Sequence, residues 1–202
     1  MGEATASPAD LAGSLLLVGL VWLTLLLGQA LLEPALGGPA AVLASFCLAA
    51  ALVLATRRRP HTSCRGISCA ALGLGTVAGF ASYPLWIALV AGAGKQLGLQ
   101  VPARAPGEQG LLLAAATLIV APVFEELLYR ERLLTALRRR FGAPAAVLAS
   151  SAAFAVVHGE PWAMLGTFWV GMALAIVRCF SNTVASCIGL HGGLNLAAWL
   201  LS

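Results

Sequence analysis

Residues 11–32, LAGSLLLVGLVWLTLLLGQALL, run for twenty-two positions without a charged side chain. At about 1.5 Å of rise per residue, a helix of this length covers the roughly 30 Å hydrocarbon core of a bilayer. The stretch is longer than the apolar core of a secretory signal peptide, and no Lys or Arg precedes it. It reads as a retained span in a mature chain that starts near Met1. Further apolar helical segments follow at 40–55, 67–93, 111–140, 145–158, 162–178 and 183–201. Glu33-Pro34 with Gly37-Gly38-Pro39, the run Arg57-Arg58-Arg59-Pro60, the polar stretch 94–110, Gly142 with Pro144, Gly159-Glu160-Pro161 and Ser181-Asn182 separate them. Gly73, Gly75 and Gly79 are expected to soften or tilt the third span.

Composition agrees with this pattern. Of 202 residues, 60% are hydrophobic and 10% charged, with a mean hydropathy of +0.91, whereas about a quarter of a soluble domain is charged. The expected fold is all-α, a polytopic transmembrane helical bundle of about seven spans forming one integral membrane domain. Within it, 1–110 holds the N-terminal spans and a connecting loop, and 111–202 holds the core that carries the polar residues.

The net charge of +4 and the pI of about 9.1 reflect topology rather than nucleic-acid binding, because membrane proteins gather Lys and Arg in cytoplasmic loops. With seven spans, Arg57, Arg58, Arg59, Arg65, Arg130, Arg132, Arg138, Arg139, Arg140 and Arg178 share one face, leaving Lys95 and Arg104 on the other. That split predicts an N-in, C-out protein of a bacterial inner (cytoplasmic) membrane; an even number of spans would break the parity. The five cysteines, Cys47, Cys64, Cys69, Cys179 and Cys187, are odd in number and lie mostly within or beside apolar runs, so no disulfide framework is implied. Trp22, Trp86, Trp162, Trp169 and Trp199 are read as interfacial anchors.

Ionisable groups within apolar helices are costly, and three clusters stand out. Glu125 and Glu126 are adjacent within APVFEELLYR, and Arg130 follows Glu126 by one helical turn. Two neighbouring carboxylates in a low dielectric repel each other and lose hydration, so one of them holds or accepts a proton near neutrality, as a general base must. FAVVH ends the fifth span with Phe154 and His158 one turn apart, and HGGLN places His191 and Asn195 on one face of the last helix. Glu126 and His158 each lie sixteen residues from Gly142, so a hairpin turning there brings them level. Each cluster alone also has a structural explanation: an ion-pair anchor, a helix cap, an interhelical hydrogen bond. His61 sits in a basic loop and reads as solvated.

Together the residues compose a workable chemistry. A carboxylate such as Glu125, helped by His158, activates water for attack on a peptide carbonyl, and His191 with Asn195 donates to the oxyanion. The alternative is a Zn²⁺ site with Glu125, Glu126, His158 and His191 as ligands; the weaker standing of that version follows from the absence of a His-Glu-x-x-His helix. No Ser or Cys is placed as a nucleophile, and no other cofactor is favoured.

The ordered set EELLYR, FAVVH and HGGLN resembles the CPBP family of intramembrane proteases, which includes CAAX prenyl endopeptidases and the bacteriocin-immunity (Abi) proteins. The resemblance covers about residues 111–200. It implies an intramembrane endopeptidase of glutamic rather than metallo type, acting on a membrane-anchored protein or peptide in the bilayer. Glu125 and Glu126 would form its acidic pair, His158 would assist the water, His191 and Asn195 would serve the oxyanion, and Arg130 and Phe154 would support them. The segment Glu-Leu-Leu-Tyr-Arg-Glu-Arg also looks like the myxosortase branch, thought to process C-terminal sorting helices of exported proteins. The competing readings are a non-enzymatic immunity or scaffold protein keeping a degenerate site, and a small proton-coupled transporter.

Overall fold

The structure, a computed structural model, describes residues 8–57, 68–99, 110–181 and 183–201. Arg58, Arg59, His61, Cys64, Arg65, Arg104 and Asn182, and most of the polar stretch 94–110, lie outside the described residues. The rest forms seven helices: α1 (Pro8–Leu36), α2 (Gly38–Ala55), α3 (Cys69–Gln96), α4 (Leu111–Phe141), α5 (Ala143–Val156), α6 (Pro161–Ser181) and α7 (Val184–Leu201). This is the expected all-α bundle. Large apolar side chains such as Leu16, Leu26, Leu31, Leu74 and Phe180 face outward, as lipid-facing positions do in an integral membrane protein.

The span count needs one correction. Six helices are long and apolar enough to cross a membrane, but α5 has only 14 residues and rises about 21 Å, short of a bilayer core. Gly142 and Gly159, both at positive φ (82° and 72°), end α4 and α5 in left-handed turns that a side chain would strain. The chain turns through these two glycines at either end of α5. Arg57 pairs with Glu131 at 3.0 Å, and Arg132 Nη1 donates to the Thr56 carbonyl at 2.7 Å. The end of α2 thus lies beside the basic half of α4, while Gly171 on α6 packs on Ser151 and Phe154 of α5.

Helix ends differ in small ways from expectation. α1 runs through Glu33 and Pro34 and stops at Leu36, the turn falling on Gly37 alone (φ 77°). Lys95 is in the last turn of α3 rather than in a loop. Gly75 and Gly79, expected to soften α3, instead pack it. A Cβ on Gly75 would meet the Ser186 and Leu190 backbone, one on Gly79 the Leu190 carbonyl, one on Gly189 the Leu72 carbonyl and one on Gly193 the Thr76 carbonyl. The numbers rise together on both helices, so α3 and α7 run parallel, joined backbone to backbone through two small-xxx-small stripes.

The two helices carrying the polar clusters are the most enclosed. Half of the apolar window of α4 and of α7 is buried, against 17–22% in α1, α2, α3 and α6. Every residue from Phe124 to Arg130 is buried, so this part of α4 is surrounded on all sides. α4 also widens twice into π turns, at Ala116–Val120 and Leu127–Leu133. Pro122 explains the first. It lacks the N–H that the Leu118 carbonyl takes in an α-helix, and the Ala121 N–H reaches back five residues to Ala116.

Candidate active site

α4 delivers Glu125, Glu126 and Arg130, and α7 delivers His191 from the face away from its glycine stripe. His191 Nδ1 donates to Glu126 Oε1 at 3.0 Å, and its Nε2 lies 3.8 Å from Glu125 Oε2. One imidazole therefore stands between the two carboxylates. Arg130 Nη1 is 3.2 Å from the same Glu126 oxygen. That contact lacks hydrogen-bond geometry, so the attraction there is Coulombic. Arg130 Nη2 donates to the Gly171 carbonyl at 3.2 Å, and the guanidinium stacks on the Phe154 ring at 4.4 Å.

These four residues are almost wholly enclosed: Glu126 is 0% exposed, Arg130 1%, Glu125 6% and His191 6%. Buried charges must balance. Two carboxylates against one guanidinium leave one negative charge, so the cluster is neutral when a single further proton sits on His191 or on a carboxyl group. Glu126 Oε1 is committed to His191 and Arg130, and its Oε2 is buried without a hydrogen-bond partner. Glu125 is the less encumbered carboxylate.

His158 joins the cluster indirectly. Its ring packs edge-on against Phe154 at 5.1 Å, and Phe154 meets His191 at 5.8 Å and Tyr129 at 5.2 Å in the same manner. Phe154 is thus the hub on which both histidines and Arg130 rest. His158 Nδ1 lies 2.9 Å from the Phe154 carbonyl; a carbonyl only accepts, so the proton is assigned to Nδ1 and Nε2 keeps its lone pair.

Two features lie outside what the motifs foretold. Tyr129 is fully buried, and its hydroxyl accepts from Trp22 Nε1 at 2.7 Å. Trp22 is therefore an internal partner of the site's helix, not the interfacial anchor expected. Trp162 likewise packs on the bare backbone of Gly94 in α3. The second is Asn195. Its Nδ2 donates to the Thr117 carbonyl at 2.9 Å, inside the first π turn. The i, i+4 spacing from His191 on α7 is as expected, and one N–H of the amide is taken by the backbone of α4. Thr117 carries no signal in the sequence.

His191 Nδ1 is held by Glu126 and His158 Nδ1 by a carbonyl, and among the described residues no group of three or more His, Cys, Asp or Glu converges to hold a metal ion. The described cysteines, Cys47, Cys69, Cys179 and Cys187, are all free thiols.

Residues 107–197 match the family described as type II CAAX prenyl endopeptidase Rce1-like. The matched stretch contains Glu125, Glu126, Arg130, Phe154, His158, His191 and Asn195, and α4 to α7 nearly whole. No curated protein and no solved structure is significantly similar to the chain. The helices that build this buried cluster are thus similar to those of the CAAX-type membrane proteases.

Proposed function

We propose that this protein is an intramembrane endopeptidase that hydrolyses a peptide bond of a membrane-anchored substrate with water activated by Glu125. The observation that carries the reading is His191, clamped between Glu126 and Glu125 in the buried core. With both carboxylates ionised and Arg130 charged, an imidazolium at His191 makes the cluster neutral and aims an Nε2–H toward Glu125. Glu126 then orients this imidazole as the carboxylate of a hydrolase triad does, with the Arg130 guanidinium 3.2 Å from the same oxygen.

In the forward reaction, Glu125 takes a proton from water while the water oxygen bonds to the scissile carbonyl carbon. The C=O π electrons move to oxygen, where His191 Nε2–H donates to the anion. Collapse restores the carbonyl and breaks the C–N bond, and the proton held by Glu125 passes to the leaving nitrogen. His158, with its Nε2 lone pair free, helps to hold the water. Low dielectric around the cluster strengthens each of these interactions. No metal enters the scheme, and insensitivity to chelators is its expected companion.

Location narrows the substrate. His191 lies about 10 Å along α7 from its basic end and about 15 Å from the other. If the basic end is cytoplasmic by the positive-inside tendency, the site lies nearer the cytoplasmic leaflet. That favours a CAAX-like segment presented from the cytoplasm over the exported sorting helices of a myxosortase. The test is to compare C-terminally tagged membrane-anchored proteins in host cells carrying wild type, Glu125→Gln or His191→Ala at matched levels. A cleavage product lost in both variants supports the peptidase; unchanged processing with a preserved deletion phenotype leaves an immunity-like scaffold.

A further inference from the structure

We propose that the corner joining α4 to α5 binds an anionic phospholipid, with Arg139 and Arg140 taking the headgroup phosphate and Phe141 lying at its acyl-chain boundary. The last turn of α4 holds Arg138, Arg139 and Arg140. Leu133, Leu134 and Leu137 fill the inner face of this end of the helix and are buried, whereas Arg139 is half-buried and Arg140 exposed. Arg57 and Arg132, at the same end of the bundle, are occupied with Glu131 and the Thr56 carbonyl. Arg139 and Arg140 have no carboxylate partner among the described residues, and the Arg140 guanidinium lies 6.0 Å from the centre of the Phe141 ring. Like charges this close repel, and a bound anion relieves both.

The place of the pair selects a lipid over a free anion. α4 has 31 residues and rises about 46 Å, roughly 16 Å more than a hydrocarbon core. The excess belongs to its arginine-rich end, which therefore reaches headgroup depth. Phe141 is 57% exposed, and every residue from 140 to 145 is exposed. Gly142, at φ 82°, turns the chain there, and Pro144 stands in the first turn of α5, so an aromatic ring projects beside two guanidinium groups. Such a ring prefers the headgroup boundary to water, and a guanidinium offers phosphate paired N–H donors. An arginine at the surface of an anionic membrane strengthens attachment by roughly fivefold. A lipid held at this corner fastens the end of the helix that carries Glu125 and Glu126 to the start of the helix that carries Phe154.

Lipid binding is independent of the peptidase reading and is measured without cleavage. Wild type, Arg139→Gln/Arg140→Gln and Phe141→Ser are purified in one uncharged detergent and titrated with phosphatidylglycerol, phosphatidylcholine or inorganic phosphate. Bound lipid is counted by native mass spectrometry, and melting is followed in parallel. Wild type is expected to bind phosphatidylglycerol at least about tenfold more tightly than phosphatidylcholine and to melt a few degrees higher with it. The double variant should melt as wild type in phosphatidylcholine and lose most of that preference, and Phe141→Ser should bind phosphatidylglycerol several-fold more weakly. Equal binding of the two lipids by wild type, or an undiminished preference in the double variant, overturns the proposal. So does a melting shift that inorganic phosphate alone reproduces, or a Phe141→Ser protein that binds phosphatidylglycerol as wild type does, because the occupant is then a free anion. If the double variant does not fold, Arg140→Gln at its exposed position decides: a loss of about fivefold supports the site and no loss overturns it.

Discussion

Glu125 and Glu126 are neighbours in the chain with separate duties. Glu126 is held by His191 and Arg130, whereas Glu125 faces His191 across 3.8 Å. Glu125→Gln is therefore expected to lower cleavage by about 10²- to 10⁴-fold with no loss of thermal stability, measured on the same purified sample. Arg130→Met acts the other way, leaving the buried Glu126 with His191 but without its guanidinium partner. It should cost about 3–5 kcal/mol, read as a fall in melting temperature, and the double variant with Glu126→Gln should recover a large part. An Arg130→Met protein as stable as wild type would show that the guanidinium contributes nothing to holding Glu126. At this scale the three motifs were legible because charges stand out against an apolar background. Trp22, Tyr129 and Thr117 were not, because a hydrogen bond between positions 107 residues apart leaves no local pattern, and a backbone carbonyl leaves none at all.

The helices present the same contrast. Their number and order followed from apolar runs and from turns at Gly37, Gly142 and Gly159, and the span count failed only at α5, which begins and ends two residues earlier than expected and at 14 residues is too short to cross a bilayer core. The π turns of α4 were hidden because a helix buried on every side has no apolar face whose period can slip; Pro122 was their one trace. The glycines of α3 were visible but misread, since a stripe of small residues signals either softness or close packing until its partner, here Gly189 and Gly193 of α7, is known. Gly193→Leu should therefore clash with the α3 backbone and destabilise by at least roughly 1–3 kcal/mol. Gly13→Leu, at a position with nothing within 4 Å, should change little. Equal melting of the two variants would refute the packing. Trp22→Phe strands the Tyr129 hydroxyl and should cost about 1–3 kcal/mol, showing by its melting temperature that α1, outside the matched residues 107–197, supports the site.

Across the whole molecule, one end of the bundle collects Arg57, Arg132, Arg138, Arg139, Arg140 and Arg178; α1 begins at this end and α7 finishes at the other. Orientation is thus a single binary question. Single cysteines placed at the Pro8 end and the Leu201 end, labelled in intact cells with a membrane-impermeant maleimide, are expected to react only at the Leu201 end. The reverse pattern would turn the site toward exported substrates.

The central claim is that water activated at Glu125 cuts a peptide bond. It is tested most directly by incubating the purified protein in proteoliposomes with a C-terminally prenylated CAAX peptide in H₂¹⁸O and a chelator. Mass spectrometry of the product then reads the label. The account predicts one ¹⁸O atom in the newly formed carboxylate with wild type, and no product above background with Glu125→Gln. Equal product from Glu125→Gln, or a reaction abolished by the chelator and restored by zinc, would contradict it.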